Sequence, residues 1–304
     1  MKNPMLASAF AAAALLAFAT PAFANLSVFA CEPEWGALSS EIGGDKVSVY
    51  TATTGQQDPH QIQARPSLIA KARSADITVC DGAELEIGWL PMILQQANNP
   101  KIQPQAPGQF DATTFVPLLE QPLAYDRALG DIHAAGNPHI QTDPRMILPV
   151  AKALAARFAQ IDPANAATYQ ARLADFDKRW TAAVAKWTAM AAPLKGTPIV
   201  VQHHAWIYME RWLGLVEVAP LEPKPGVPPS SGYLAQVLAK LQATPAKFSI
   251  RAAYEDDRPS TFVAEHANIP AVALPFTVGG TEQAKDLFSL YESSITLMLG
   301  ALKK

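Results

Sequence analysis

The sequence predicts an α/β protein of two lobes, each a parallel sheet flanked by helices, with one long helix joining them. Three observations predict it. Strand and helix patterns alternate over residues 26–97, they alternate again from residue 198 onward, and between them aromatic residues recur at helical spacing.

The first lobe is expected over residues 25–162. Leu26 to Cys31 is an apolar run with the length of a buried strand, and Trp35 to Ile42 reads as a helix stopped by Gly43-Gly44. Lys46 to Thr53 carries Val47, Val49 and Tyr50 in strand alternation. A loop over 54–65 follows, then a helix through Arg73 with Ser67 as its cap. Asp76 to Cys80 is the third strand, and Leu85 to Ala97 the next helix. Residues 98–142 hold several prolines and little periodicity, so loop with short strands is expected there. Asp143-Pro144 opens a helix to about Gln160, with its first turn separated or kinked at Pro149.

The joining helix is expected over 163–192, with Asp162 as its cap and Pro163 at its first position. Tyr169, Leu173, Phe176, Trp180, Val184 and Trp187 fall on one face. At 1.5 Å per residue such a helix is roughly 45 Å long, enough to run the height of the molecule.

The second lobe is expected over 193–304. Strands are expected at Pro198 to Gln202, Val216 to Leu221, Lys247 to Tyr254 and Ala271 to Pro275. Helices are expected at Ala205 to Leu213, Ser231 to Gln242, Arg258 to Ala267 and Glu282 to about Leu302. In such sheets ligands bind beyond the carboxyl ends of the strands.

Residues 1–24 read as a secretory signal. Lys2 is followed by an apolar stretch from Met5 to Phe18 and by Pro21-Ala22-Phe23-Ala24, so cleavage is expected after Ala24. The apolar stretch falls short of the ~20 residues needed to span a bilayer. The expected compartment is the periplasm, with no direct membrane insertion. A net charge of −3 provides no basic field for nucleic acid. The two cysteines, Cys31 and Cys80, each end an expected strand. In an exported protein an even pair points to a disulfide, and two buried thiols are the alternative.

Six histidines occur in 304 residues, and three of them follow strand ends or their loops in motifs of their own. These are Asp58-Pro59-His60, Gly136-Asn137-Pro138-His139 and Gln202-His203-His204-Ala205-Trp206. Three imidazoles converging from distant parts of a chain suit zinc. Asp58 and Asp143 are candidates to hold the outer ring nitrogens of His60 and His139. Adjacent side chains at a strand end diverge, so His203 and His204 are not expected to ligate together. Glu255, Asp256 and His204 are candidates for a fourth ligand or its support, and Asp257 more simply starts the next helix. His133 either shelters a metal or lies in a plain surface loop, and His266 is expected on a helix surface. The chain carries no H-E-x-x-H, G-x-S-x-G, phosphate-loop or dinucleotide motif.

Taken together, these motifs resemble those of the periplasmic solute-binding proteins of ATP-binding-cassette importers for zinc and manganese, the ZnuA/TroA-like family. The resemblance covers nearly all of the mature chain. It rests on Asp58-Pro59-His60 with Arg65-Pro66-Ser67, Ala75-Asp76-Ile77 to Gly82-Ala83-Glu84-Leu85-Glu86, and Asn137-Pro138-His139 with Asp143-Pro144. It also rests on Val201-Gln202-His203-His204-Ala205-Trp206 to Tyr208, Glu222-Pro223-Lys224-Pro225-Gly226 and Val278-Gly279-Gly280. The resemblance implies a metal held between two lobes by His60, His139 and His203, and delivery from a monomer to a membrane permease. Manganese-type members carry a carboxylate where His203 stands, so Zn2+ is expected over Mn2+. Many members end their ligand set with an Asp where this chain has Val278, which leaves the fourth position open. The reading from another class is an exported zinc hydrolase with three histidine ligands and Glu255 or Asp256 as base.

Overall fold

In a computed structural model of the chain, residues 25–122 and 130–303 are described. The expected signal segment and its cleavage site lie outside the described residues. The first lobe contains β1 (Leu26–Ala30), α1 (Pro33–Gly43), β2 (Val47–Thr51), α2 (Pro66–Arg73), β3 (Ile77–Cys80), α3 (Leu90–Ala97), β4 (Gln109–Asp111) and α4 (Pro144–Ile161). Then comes α5 (Ala166–Met190). The second lobe contains β5 (Pro198–Val201), α6 (Ile207–Leu213), β6 (Val216–Pro220), α7 (Ser231–Ala243), β7 (Phe248–Ala252), α8 (Arg258–Ala267), β8 (Ala271–Leu274) and α9 (Leu287–Leu302).

Both sheets have the same topology. The first is ordered β2-β1-β3-β4 and the second β6-β5-β7-β8, with every neighbouring pair parallel. Each central strand is therefore flanked on both edges, and β3 and the end of β5 are fully buried. Strand order reverses beside β1 and beside β5. The loops leaving the carboxyl ends of β1 and β3, and of β5 and β7, diverge there and leave room for a ligand.

The long helix is α5, about 37 Å at 1.5 Å per residue. It packs against α1 and α4 of the first lobe and α9 of the second. Tyr169, Phe176, Trp180 and Trp187 are its buried stripe. The Trp180 ring lies 5.3 Å from Trp187 and 5.5 Å from Tyr291, and its indole N–H donates to the Pro144 carbonyl at 2.8 Å. Burying one Phe-sized side chain contributes about 1.5–3 kcal/mol, so this seam holds helix and lobes together firmly.

Several element boundaries differ from expectation, each for a local reason. The cap of α2 is Arg65, because Pro66 occupies the first helical position and Ser67 is already inside. Asp162 caps no α-helix through its side chain. Its carboxylate instead accepts from Asn165 and Tyr169, and a 3-10 turn over Pro163–Asn165 precedes α5. Helix α4 continues through Pro149, which near the helix start removes a single hydrogen bond. Residues 85–89 form turns before α3, because Gly82, Ala83 and Glu84 all have positive φ. The Glu86 carboxylate then bends back to the amides of Asp81 and Gly82. Asp286 and Ser289 form a capping box that starts α9 at Leu287, five residues later than expected.

Cys31 and Cys80 form a disulfide with Cα atoms 4.8 Å apart, joining the ends of neighbouring strands β1 and β3. The two lobes meet closely at the mouth of the cleft. A side chain at Gly55 would overlap the backbone of Gly279 and Gly280. Gln56 donates to the Gly280 carbonyl at 2.6 Å, and the Thr277 hydroxyl donates to the Glu34 carboxylate.

Candidate metal centre

His60 lies in the loop after β2. The Asp58 carboxylate accepts both the His60 backbone N–H (3.0 Å) and its ring Nδ1–H (2.8 Å). One short side chain thus turns the backbone and aims the ring, leaving Nε2 outward. Although burial pushes the Asp58 carboxyl up, its hydrogen bonds to His60 outweigh that and hold it below its ordinary value. The loop is anchored from beneath, where the Trp89 indole donates to the Pro59 carbonyl at 2.8 Å.

His139 lies in the turn leading to α4. Its backbone N–H donates to the Asn137 side chain (3.1 Å), and the Tyr208 hydroxyl donates to the Asn137 carbonyl (2.6 Å). The second and third sequence motifs are therefore stitched together. Asp143 does not hold the His139 ring as expected. It is two residues from Arg145, whose guanidinium and amide saturate it at 2.7–3.0 Å. His139 Nδ1 is buried with no hydrogen-bond partner.

His203 follows β5, and its Nδ1 is hydrogen-bonded to Glu222 at 2.7 Å. The register explains this pairing. Val201 faces Pro220 across β5 and β6, and His203 and Glu222 each stand two residues beyond that pair. Glu222 also accepts the Gly226 N–H at 2.7 Å. Gly226 has φ +74°, and any side chain there would overlap the Asp131 carboxylate, so the turn requires glycine.

The three rings converge. His60 lies 5.2 Å from His139 and 5.5 Å from His203, and His139 lies 5.7 Å from His203, centroid to centroid. A fourth ring joins them. His133 is 5.5 Å from His60 and 6.1 Å from His139. One ligating nitrogen each from His60, His133 and His139 lie within 4.8 Å of one another. His133 thus belongs to the cluster, not to a plain surface loop. Its segment is fixed at a distance: Asp131 N–H donates to the Pro225 carbonyl (2.9 Å), and Ala134 N–H to Glu84 (3.3 Å). His60 Nε2 and both His133 ring nitrogens are buried with no partner. A cavity of about 200 Å³ beside them is lined by His133, His139, His203 and Asn137 among others.

Burial holds His133 and His139 far below the ordinary imidazole value, with neighbouring histidines adding to the effect. His133 is pushed down to about 3. Both rings are therefore neutral at pH 7, the state in which an imidazole nitrogen can ligate a metal.

The other candidates are engaged elsewhere. His204 lines the same cavity, but both of its ring nitrogens are taken. Its Nε2 meets Glu120 at 2.7 Å and its Nδ1 meets Glu217 at 2.8 Å. Glu120 first, then Glu217, push its pKa up to about 10, so it is an imidazolium that ties the first lobe to the second. Its stabilising contribution is complete below about pH 6.5 and is lost as pH rises through about 10. Glu255 turns back to the Ala252 amide (2.6 Å), and burial raises its carboxyl to about 8. Asp256 pairs with Arg258 at 2.8–3.0 Å on the exposed surface. Neither side chain is a free base facing the histidines. His266 is exposed on α8, bonded to the Phe262 carbonyl. Val278 packs against the core and offers no donor. Sequence reasoning missed the part played by Glu222, which the parallel register of β5 and β6 could have signalled.

A family model described as "Zinc-uptake complex component A periplasmic" matches residues 28–303. The high-affinity zinc uptake system protein ZnuA of Yersinia pestis is 26% identical over 257 residues, covering 79% of each chain. The manganese transporter substrate-binding lipoprotein PsaA of Streptococcus anginosus is 24% identical over 261 residues, covering 84% of this chain and 81% of that one. A crystal structure of ZnuA superposes with a TM-score of 0.76 at 22% identity, covering 91% of this chain and 99% of that one.

Proposed function

The chain belongs to the ZnuA family of zinc-uptake components, and from that premise we propose that its cargo is Zn2+, captured in the periplasm and delivered as a monomer to a membrane permease. The chain is the metal-binding component of an ATP-binding-cassette uptake system, not an enzyme. The zinc-hydrolase alternative is set aside with it. Among the described residues no helix is long and apolar enough to cross a membrane.

The observation that carries the zinc reading is the packing of four imidazole rings at 5.2–6.1 Å around buried, unpartnered ring nitrogens. In this reading His60, His139 and His203 are ligands and His133 is the fourth. The carboxylates Asp58 and Glu222 serve as outer partners, fixing the rings so that Nε2 faces the ion. An all-nitrogen donor set suits Zn2+. Mn2+ lies at the weak end of the divalent series and prefers carboxylate oxygens. The seam of α5 aromatics keeps the lobes in register, and the Gly55–Gly280 approach closes the cleft over the ion.

The test is metal competition. Purified protein dialysed against equal Zn2+ and Mn2+ retains about one zinc per chain, and a hundredfold excess of Mn2+ does not displace it. Retention of manganese in that excess would overturn the zinc assignment. Burial keeps His133 and His139 neutral well below the ordinary pKa of about 6.5, so at these two rings protons do not compete with zinc near neutral pH. Neither ring should take up a proton between pH 7.5 and pH 6, as a histidine NMR titration of the metal-free protein checks.

A further inference from the structure

His60, His139 and His203 are not held alike. His60 and His203 each have a carboxylate on Nδ1, Asp58 at 2.8 Å and Glu222 at 2.7 Å. His139 has none, and its Nδ1 is buried without a partner. A ring that no carboxylate grips must have its direction set by its backbone and its packing. The backbone on either side of His139 shows how. Asn137 lies two residues before it and Gln141 two residues after it. The Tyr208 hydroxyl donates to the Asn137 carbonyl at 2.6 Å, and the Tyr291 hydroxyl donates to the Gln141 carbonyl at 2.7 Å. Both tyrosines are buried.

The two tyrosines belong to the second lobe, Tyr208 to α6 and Tyr291 to α9, whereas His139 lies in the chain before α4 of the first. The second lobe reaches the same turn by other routes. The Asn137 side-chain amide donates to the His204 carbonyl at 3.1 Å. The His139 ring packs 5.4 Å from Phe276, which lies 5.2 Å from Trp206. Leu119 and Glu120 bond Asn137 at 2.8 and 3.1 Å, but the second lobe holds them too. The Leu119 N–H donates to the Tyr208 hydroxyl at 3.0 Å, and Glu120 meets His204 at 2.7 Å. Each polar group of Asn137 is thus engaged, its Oδ1 by the His139 N–H. The Thr142 hydroxyl donates to the His139 carbonyl at 2.9 Å and closes the turn. His60 differs. It is bonded to Asp58 of its own loop, and that loop to Trp89 of the first lobe.

We propose that Tyr208 and Tyr291 are positioning residues for zinc capture, whose hydroxyls clamp the turn on both sides of His139 to the second lobe. His139 and His203 then form one preset pair of nitrogen donors, and His60 joins them from the other wall of the cleft. This rests on reading His139 as a ligand. Chain order groups His139 with His60, but the hydrogen bonds group it with His203. A ligand already aimed loses less freedom when the ion arrives, so the clamp favours tight binding. Removing either hydroxyl leaves a buried carbonyl unmet and lets the turn rearrange.

The test is Tyr208→Phe combined with Tyr291→Phe, which removes both hydroxyls and keeps both rings. Tyr169→Phe is the control, since its hydroxyl bonds Asp162 before α5 and not the histidine turn. Nitrogen-15 NMR of the metal-free protein, with labelled histidine rings, reads ring order; His139→Ala and His60→Ala identify the signals. The expected result is a sharp His139 signal in the unaltered protein and a broadened or split one in the double variant, with the His60 signal unchanged. Zinc release into a chelator should be at least tenfold faster in the double variant and within twofold of the unaltered rate in Tyr169→Phe. If the double variant fails to fold, Tyr208→Phe alone should still disturb the His139 signal. An unaltered His139 signal in a folded variant overturns the proposal, as does equal acceleration of release by Tyr169→Phe. Absence of zinc binding in the unaltered protein would sink the cargo reading instead, and the ring signals would then decide this proposal alone.

Discussion

His139→Ala lowers zinc affinity by roughly two orders of magnitude or more. Zinc held by four ligands in small folded sites is bound with about 10–16 kcal/mol, so one ligand of four accounts for roughly 3 kcal/mol. His139 is the ring for which this loss is least avoidable. It is 1% exposed, so water does not readily replace it. Its ring is between 5.2 and 6.1 Å from those of His60, His203 and His133. Its Nδ1 has no protein partner. Competition titration against a zinc chelator measures the change. His266→Ala, on the exposed face of α8, should leave the affinity unaltered. A His139→Ala protein within threefold of the unaltered one would contradict the ligand assignment.

Replacing both cysteines by alanine destabilises the folded protein by about 4 kcal/mol. The disulfide closes a loop with a sequence separation of 49 residues, and loop-closure entropy for that length gives about 4 kcal/mol. Both sulfurs are also buried, at 0% and 1% exposure, so truncating them leaves small voids in addition. Urea unfolding monitored by tryptophan fluorescence measures the loss. A shift of less than about 1 kcal/mol would show that β1 and β3 hold their ends together without the bond.

The parallel sheets were legible because each strand is a short apolar run between breakers, and parallel pairing buries both faces of the central strands. Helix limits were less legible where side chains reach back to the backbone. Glu86 and Asp286 both do so, and each sets a start that periodicity alone does not reveal. His60, His139 and His203 stood out because each sits in a compact motif after a strand or its loop. His133 did not. Its segment is placed by bonds to Pro225 and Glu84, residues 94 and 50 positions away from Asp131 and Ala134. The acidic residues show the opposite effect. Asp143, Glu255 and Asp256 occupy promising positions at loop or sheet mouths, but each is satisfied within three residues of itself. A contact so close in sequence costs little chain entropy and wins over a distant one. Glu222 was hidden for a different reason: its link to His203 exists only once β6 is known to pair with β5 in parallel register.

X-ray absorption at the zinc edge of the loaded protein checks whether imidazoles from both lobes share one ion. Four nitrogen donors at about 2.0–2.1 Å are expected, with the outer-shell scattering of three or four imidazole rings. A first shell dominated by carboxylate oxygen, or one containing sulfur at about 2.3 Å, would overturn the shared imidazole site.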